Sequence, residues 1–454
     1  MEKVLHYIEA NRGRFLEELK TLLRFESVSA DPARKGEVQK TAQFEIDHLK
    51  KIGFENAKLV ETGGHPIVYA DFLHAVGKPT ILVYGHYDVQ PPDPLELWKT
   101  PPFTPTIQGN FIYGRGASDN KGMHWTHLCA LESHLKMTGK LPVNVKILIE
   151  GEEELTHEHI DATIRKNPGL FSCDAVLLSD TGWFSDEYPT ICTGLRGLDY
   201  FQITLTGPDH DLHSGTYGGK VRNPINTLAH ILAQLKDEKG HVLVPHFYDD
   251  VLPIGPQEKE NLKNLPWNDA VLAREVGMKH PTPEEGFSTL ESNWYRPSLD
   301  INGIWGGYQG PGAKTVIAST CGAKFSTRLV AKQDPHKIAT LVTDHVRSLC
   351  PPEITCKIEV LSTAPPVHVD SDNFFVRAAA QGYEKGFGKK VMLAREGASI
   401  PVVATFQEVL KVPVVLMGLG LSTDRIHSPN ESFCLDNFYG GIIGAAHTYQ
   451  LFAQ

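Results

Sequence analysis

Short apolar runs of strand length alternate with amphipathic helical patterns in the first part of this 454-residue chain. We expect strands in four of the apolar runs, "IVYADFL", "TILVYGH", "NVKILIEGE" and "DAVLLSD". We expect helices between them in "GEVQKTAQFEIDHLKKIG" and "NKGMHWTHLCALESHLKMTG". This alternation predicts an α/β fold, in which functional residues lie where the strands of the sheet end.

The pattern changes near Gly194, which indicates a second domain. Alternating strand residues begin there, and they are followed by the helical pattern "PINTLAHILAQLKD" and a polar, Pro-rich segment that reaches about Pro297. After residue 364 the patterns resume the character of the first sheet. A chain of this length exceeds the usual size of a single core. We therefore predict a first domain of residues 1–193 and 365–454, interrupted by an inserted domain of residues 194–364.

Charge and composition exclude several classes of protein. The net charge of −10 argues against a general binder of nucleic-acid phosphates. The apolar stretch "VPVVLMGLGL" is too short to cross a bilayer, and charges interrupt the N-terminal helical pattern, so we expect no membrane contact and no signal peptide. Seven scattered cysteines without a C-x-x-C pair indicate reduced thiols. We therefore expect a soluble cytoplasmic protein without a nucleic-acid partner.

One predicted strand ends by presenting a histidine and a carboxylate. "ILVY" is followed by Gly85, His86 and Asp88. In an extended chain, side chains two residues apart leave on the same face. A histidine that binds a metal usually donates its other ring N–H to an acceptor, and Asp88 is well placed to be that acceptor. Taken alone, the pair is equally compatible with an ordinary surface turn.

Carboxylates or histidines follow four further segments of the predicted sheet. Asp119 precedes a helix and is also compatible with a simple helix cap. Glu153 and Glu154 follow the strand "VKILI", where a solvated acidic loop is the alternative. Neighbouring side chains in an extended segment point in opposite directions, so one glutamate can bind a metal while the other reaches a metal-bound water. Asp180 and His427 follow two more strands.

Together these residues indicate a metal site better than any of them does alone. Two histidines and three carboxylates are about the number of ligands that two divalent ions with one bridging carboxylate require. Other known site patterns are absent from the sequence: the phosphate loop, the helical H-E-x-x-H motif and a G-x-S-x-G elbow around Ser399.

The sequence resembles the M20 family of metallopeptidases, and most of all its carnosinase-type dipeptidase branch. The matching segments occur in the family's order and span nearly the whole chain: "GHYDVQP", "WKTPPFTPTIQGNFIYGRGASDNKG", "EGEEE", "DAVLLSD", "HDLHSGTYGG", "REGASIPV" and "IHSPNE". The resemblance implies a catalytic domain with a mixed twisted sheet flanked by helices, as in zinc exopeptidases. It also implies that the inserted domain is an α+β lid and dimerisation domain.

The resemblance assigns the metal ligands by position. His86 and Asp180 would hold one ion, Glu154 and His427 the other, and Asp119 would bridge the two. The peptide bond after the bridging aspartate would be cis. The ligand chemistry, imidazole and carboxylate without thiolate, suits zinc or manganese, and also cobalt.

The resemblance also implies the catalytic roles. Glu153 would be the general base for a water between the ions, and Asp88 would orient His86. His213 would stabilise the oxyanion in the active site of a partner subunit, so a homodimer is implied. The implied substrate is a small peptide, whose carboxylate would be bound by Arg328, with Thr315 and Ser399 as further contacts.

The sequence leaves one alternative activity open and raises two expectations about loops. A deacylase of N-acyl or N-succinyl amino acids would use the same metals and base, whereas a non-catalytic relative is disfavoured because Glu153 is present. The family usually has a small residue two positions after the metal-binding glutamate, and "EEELTHEH" departs from this pattern, so we expect an altered loop after Glu154. We expect the segment 236–297 to shape the mouth of the pocket.

Overall fold

The computed structural model describes residues 1–263 and 265–454. The chain divides into two compact units, the first formed by Met1–Thr193, Val369–Ala394 and Val402–Gln454, and the second by Gly194–His368 and Arg395–Pro401. None of the helices in the described ranges is both long and apolar enough to span a membrane.

The strands alternate with helices in the first unit and dominate the second. In chain order the strands are β1 (Glu55–Val60), β2 (Ile67–Phe72), β3 (Thr80–His86), β4 (Thr106–Gln108), β5 (Phe111–Tyr113), β6 (Asn144–Glu150), β7 (Ala175–Leu178), β8 (Thr190–Leu195), β9 (Gly197–Thr206), β10 (Leu212–His213), β11 (Ser298–Gly306), β12 (Val316–Ile317), β13 (Thr320–Leu329), β14 (Thr355–Ala364), β15 (Val367–His368), β16 (Met392–Glu396), β17 (Val414–Met417) and β18 (Ser432–Cys434).

The helices range from single turns to more than five turns. In chain order they are α1 (Glu2–Leu23), α2 (Lys35–Ile52), α3 (Lys121–Thr138), α4 (Glu158–Lys166), α5 (Pro168–Phe171), α6 (Ser214–Tyr217), α7 (Pro224–Ala233), α8 (Pro256–Lys263), α9 (Asp269–Glu275), α10 (Thr289–Tyr295), α11 (Pro335–Leu349), α12 (Phe374–Phe387), α13 (Pro401–Thr405) and α14 (Leu435–Phe452).

A mixed sheet with the strand order β1-β2-β6-β3-β7-β17-β8 forms the centre of the first unit. The four middle strands, β6, β3, β7 and β17, run parallel, whereas β1, β2 and β8 pair antiparallel with their neighbours. The middle strands are buried almost throughout, as expected for parallel strands covered on both faces. This sheet, with its flanking helices, confirms the predicted α/β class.

Helices α1, α2, α3, α12 and α14 pack beside one another or against this sheet. Glycines allow α12 and α14 to approach closely: a Cβ added at Gly386 would lie 2.6 Å from the carbonyl oxygen of Gly440. Helix α3 is buried along most of its length, and its first residue comes two positions after Asp119. The start of α3 therefore holds this aspartate at a rigid part of the fold.

The second unit contains an antiparallel sheet with the strand order β11-β13-β9-β14. Buried and partly buried residues alternate strictly along β9, and its buried face contributes Phe201, Ile203 and Leu205 to a core that includes residues of α7 and α11. The predicted segment 236–297 lies in this unit and contains α8, α9 and α10, with position 264 outside the described residues.

Candidate metal centre

Four parallel strands bring four of the five predicted ligands to one edge of the first unit's sheet, and Asp119 precedes α3. His86 is the last residue of β3, and Glu153 and Glu154 follow β6. Asp180 comes two residues after β7, and His427 lies in the segment that follows β17. Because the carboxyl ends of adjacent parallel strands meet at one edge of a sheet, residues distant in sequence gather there.

The five predicted ligands form two clusters that share Asp119. Nε2 of His86 lies 3.1 Å from Oδ1 of Asp119 and 3.6 Å from Oδ1 of Asp180. Nε2 of His427 lies 3.0 Å from Oδ2 of Asp119 and 3.2 Å from Oε2 of Glu154. Each oxygen of Asp119 therefore faces a different histidine.

This arrangement fits a pair of divalent cations. In each cluster of three residues, one potential ligand atom per residue lies within 4.8 Å of the other two. The donors are imidazole nitrogens and carboxylate oxygens, which suit zinc, manganese and cobalt. His86 and Asp180 with Asp119 could hold one cation, and Glu154 and His427 with Asp119 could hold the other.

Asp88 is a fully buried carboxylate that connects β3 with the loop after β6. Its Oδ2 accepts hydrogen bonds from Oγ of Ser29 at 2.7 Å and from the backbone N–H of Glu154 at 3.1 Å. Nδ1 of His86 lies 3.4 Å from Oδ1 of Asp88 and 3.1 Å from its carbonyl oxygen. These acceptors favour a proton on Nδ1, which leaves the lone pair of Nε2 directed toward Asp119 and Asp180.

Crowded carboxylates dominate the electrostatics of the site. Burial raises the pKa of Glu153 well above its usual range, and the carboxylates of Asp180, Glu154 and Asp119 raise it further, although His86 opposes them. Hydrogen bonds from the His427 ring to Asp119 and Glu154 raise the pKa of that histidine to about 10. A site that favours positive charge so strongly would favour bound cations for the same reason, and cations would lower the pKa of Glu153.

The altered loop after Glu154 is a compact turn. The backbone N–H groups of Leu155 and Thr156 both donate to the carbonyl oxygen of Glu152, at 3.0 and 2.9 Å. The Glu152 side chain is bonded to His159 at 2.8 Å, and Nε2 of Gln90 donates to Oε2 of Glu154 at 2.8 Å. The turn therefore holds Glu154 in the second cluster despite the unusual sequence.

Asn120 is a contact that the sequence analysis did not identify. Its Nδ2 donates to Oδ1 of Asp180 at 2.7 Å and to the carbonyl oxygen of Ser179 at 2.6 Å. The Asp119–Asn120 peptide bond is cis, as the family resemblance implies. Asn120 stands in the quoted motif "GRGASDNKG", but its partners lie about sixty residues away in sequence, so no local pattern indicates this role.

The four remaining predicted residues lie in the second unit. His213 is exposed, and its Nδ1 accepts from the backbone N–H groups of Gly215 and Thr216 at 3.0 and 3.3 Å. A neutral His213 ring therefore has its proton on Nε2. The carbonyl oxygen of Thr315 accepts from the N–H of Ser214 at 3.1 Å, which places Thr315 beside the His213 turn.

Arg328 and Ser399 form a pair in the same unit. Nη1 of Arg328 donates to Oγ of Ser399 at 2.9 Å, and that hydroxyl donates to the carbonyl oxygen of Arg196 at 2.5 Å. Burial lowers the pKa of Arg328, although Asp300 opposes this effect. Among the residues that the structure describes, no carboxylate forms a salt bridge with Arg328, which is partly buried.

Comparison with known proteins identifies the family. The family model of peptidase family M20/M25/M40 matches residues 82–450, which is most of the chain. The chain belongs to this family. As an M20 metallopeptidase, it hydrolyses peptide bonds in a metal-dependent reaction at a dinuclear site.

Several M20 relatives are similar over nearly their full length. A Cys-Gly metallodipeptidase of Candida albicans is 33% identical, with 97% of this chain and 95% of the relative aligned. The human Beta-Ala-His dipeptidase is 31% identical, with 97% of this chain and 90% of the relative aligned. Among solved structures, the M20 metallo-carboxypeptidase Sso-CP2 of Sulfolobus solfataricus has a TM-score of 0.89 at 32% identity, with 97% of this chain and 99% of that chain aligned.

Proposed function

We propose that this protein is a dipeptidase that hydrolyses unblocked dipeptides with two divalent cations. The observation that carries the proposal is the pair of clusters that share Asp119, with one oxygen toward His86 and the other toward His427. The similarity to relatives named as Cys-Gly and Beta-Ala-His dipeptidases supports short peptides as substrates. The proposed ligands are His86, Asp119, Glu154, Asp180 and His427.

The residues around the cations would carry the proton transfers. When bound, two such cations acidify a water and polarise the scissile carbonyl. Glu153 accepts a proton from the attacking water and delivers it to the leaving amine. Asp88 keeps the proton of His86 on Nδ1, which supports this proposal for a ligating Nε2.

Residues of the second unit would bind the substrate and the oxyanion. His213 donates from Nε2 to the oxyanion, and we propose that it does so in the site of a partner subunit of a homodimer. Its exposed ring and the two N–H donors on Nδ1 support the donor role of Nε2. Arg328 binds the C-terminal carboxylate of the peptide, and Thr315 and Ser399 are further substrate contacts; the hydrogen bond from Arg328 to Ser399 supports a role for both side chains.

The donor set supports zinc or manganese as the native cation, with cobalt as a functional substitute. Cys129, Cys173, Cys321, Cys350, Cys356 and Cys434 form no disulfide bond. They support the proposal that the enzyme acts in the cytoplasm, where thiols stay reduced.

Hydrolysis of a small substrate panel tests the proposed function. The panel contains unblocked dipeptides, a tripeptide, and N-acetyl and N-succinyl amino acids, assayed with apo protein and with protein reloaded with zinc, manganese or cobalt. We expect metal-dependent cleavage of the dipeptides, with Glu153→Ala protein as the inactive control.

Other results would assign a different activity to the same site. Cleavage of the acylated amino acids alone would make the protein a deacylase. Release of the C-terminal residue from the tripeptide in preference to dipeptide cleavage would favour a carboxypeptidase, the activity named for the similar structure of Sso-CP2. No cleavage of any substrate by metal-loaded protein would contradict the proposal.

A further inference from the structure

Glu431 is a fully buried carboxylate whose two oxygens each accept two hydrogen bonds. Oε1 accepts from the backbone N–H groups of Ser118 and Asp119, at 3.0 and 3.1 Å. Oε2 accepts from the N–H of Gly116 at 3.0 Å and from Nη1 of Arg115 at 2.6 Å. Glu431 therefore binds the segment 115–119, which ends at the shared carboxylate of the metal centre.

The segment that contains His427 is also held by contacts with residues 114–119. His427 lies four residues before Glu431, and the segment between β17 and β18 has positive φ angles at Arg425, His427 and Asn430. Non-glycine residues seldom adopt this conformation, so the surrounding contacts must maintain it. Two of these contacts involve segment 114–119: the carbonyl oxygen of Glu431 accepts from the N–H of Gly114 at 3.0 Å, and Oδ2 of Asp424 accepts from Oγ of Ser118 at 2.8 Å.

We propose that Glu431 is a positioning residue for the metal pair, which fixes Asp119 relative to His427 so that one carboxylate can serve both cations. Glu431 contacts only the backbone N–H of Asp119. Both side-chain oxygens of Asp119 therefore stay free to face the two histidines. The inference rests on the two-cation site proposed above and assigns a role to a residue outside the ligand set.

The contacts of Glu431 determine which substitutions are informative. Both oxygens meet only donors, so the amide of Glu431→Gln would direct its NH2 group against an N–H group in either orientation. Glu431→Asp keeps both acceptor oxygens and the charge, but its carboxylate is one methylene further from the N–H groups. We expect the glutamine variant to be more disruptive than the aspartate variant, although its side chain has nearly the same size.

Metal titration distinguishes positioning from a general structural role. Apo wild type, Glu431→Gln and Glu431→Asp are titrated with Co²⁺, and the visible spectrum is recorded with the stoichiometry and apparent dissociation constants. Substitution of residues that contact metal ligands typically lowers metal affinity by about 10–100-fold. We therefore expect a loss of this size in Glu431→Gln and a smaller loss in Glu431→Asp. We expect a changed cobalt spectrum in both variants.

The matched control is Glu284→Gln in the second unit. Glu284 is a partly buried carboxylate that also accepts several hydrogen bonds: two of 2.7 Å from Arg296 and one of 2.9 Å from His241. We expect Glu284→Gln to lower the melting temperature without changing cobalt affinity.

Three results would overturn the inference. The first is wild-type affinity and spectrum in folded Glu431→Gln protein. The second is wild-type cobalt affinity in Glu431→Asp, which becomes the decisive variant if Glu431→Gln does not fold. The third is an equal loss of affinity in Glu284→Gln. Failure of wild-type protein to take up two equivalents of cobalt would instead overturn the two-cation site itself, and the inference with it.

Discussion

Asp199 is a buried carboxylate in the second unit that should make stability depend on pH. It lies on the core-facing side of β9, two residues before Phe201, and is fully buried. Its Oδ1 has no hydrogen-bond partner, and its Oδ2 has only a long contact of 3.4 Å from Oγ1 of Thr327. Burial raises the pKa of Asp199 from 3.8 to about 7, and Asp334 adds to this effect.

The sign and size of the effect follow from this displaced pKa. Between its unfolded and folded pKa values, Asp199 binds a proton in the folded state and not in the unfolded state, so its contribution to unfolding free energy falls as pH rises from about 4 to about 7. The slope is about 1.4 kcal/mol per pH unit, so the loss between pH 5 and pH 8 is roughly 3 kcal/mol. Asp199→Asn removes this titration, so the variant should gain that much stability relative to wild type over the same range.

Urea unfolding of apo protein in the presence of EDTA at pH 5 and pH 8 measures this difference. Asp344→Asn, at an exposed position on α11, is the control and should show no pH-dependent difference from wild type. Equal differences between Asp199→Asn and wild type at the two pH values would refute the reasoning, since an Asp199 with the same pKa in the folded and unfolded states would give that result.

Three substitutions test the proposed catalytic roles. Glu153→Ala should keep both metals and lose nearly all turnover, measured by metal content and dipeptide hydrolysis; loss of metal instead would mean that Glu153 is a ligand. His213→Ala should lower kcat by about 10²–10³-fold if His213 donates to the oxyanion, whereas an effect on KM alone would leave it a binding residue. Arg328→Met should raise KM for dipeptides with a free C-terminus, measured beside C-terminally amidated analogues; equal effects on both substrates would argue against carboxylate recognition.

Continuous apolar runs predict the middle of the first sheet well. Strands β3, β6 and β7 coincide with runs identified from the sequence, because parallel strands buried on both faces leave an apolar signature. Strand β2 pairs antiparallel with β6 but is also buried, and it coincides with a run as well. The positions of His86, Glu154 and Asp180 follow from the same runs, since these residues come where β3, β6 and β7 end.

Strand β11 and helix α14 are among the elements that the sequence did not predict, because tertiary contacts determine them. Strand β11 has only one buried residue, Leu299, and is held by pairing with β13, so its sequence lacks an alternating pattern. Helix α14 contains three glycines that disfavour a helix in isolation, but a Cβ at Gly440 or Gly444 would collide with side chains of α12. Close packing between the two helices therefore selects glycine at these positions.

The supporting residues of the metal centre are harder to predict than its ligands. Glu431 and Arg115 are more than three hundred residues apart in sequence, and Ser29 is 59 residues from Asp88. Their roles depend on the distances between loops that meet only in the folded protein. The same reason applies to the segment Arg395–Pro401. It follows residue 364 but belongs to the second unit, because its contacts form only in the folded protein.

The positions of bound cations test the central claim most directly. Crystals of manganese-loaded protein, measured near the manganese absorption edge, would locate each ion by anomalous scattering. We predict two peaks, one beside His86 and Asp180 and one beside Glu154 and His427. Each peak should lie within bonding distance of one side-chain oxygen of Asp119. A single peak at this edge of the sheet, or peaks only at the separate group of Glu18, His48 and Glu132, would contradict a dinuclear site bridged by Asp119.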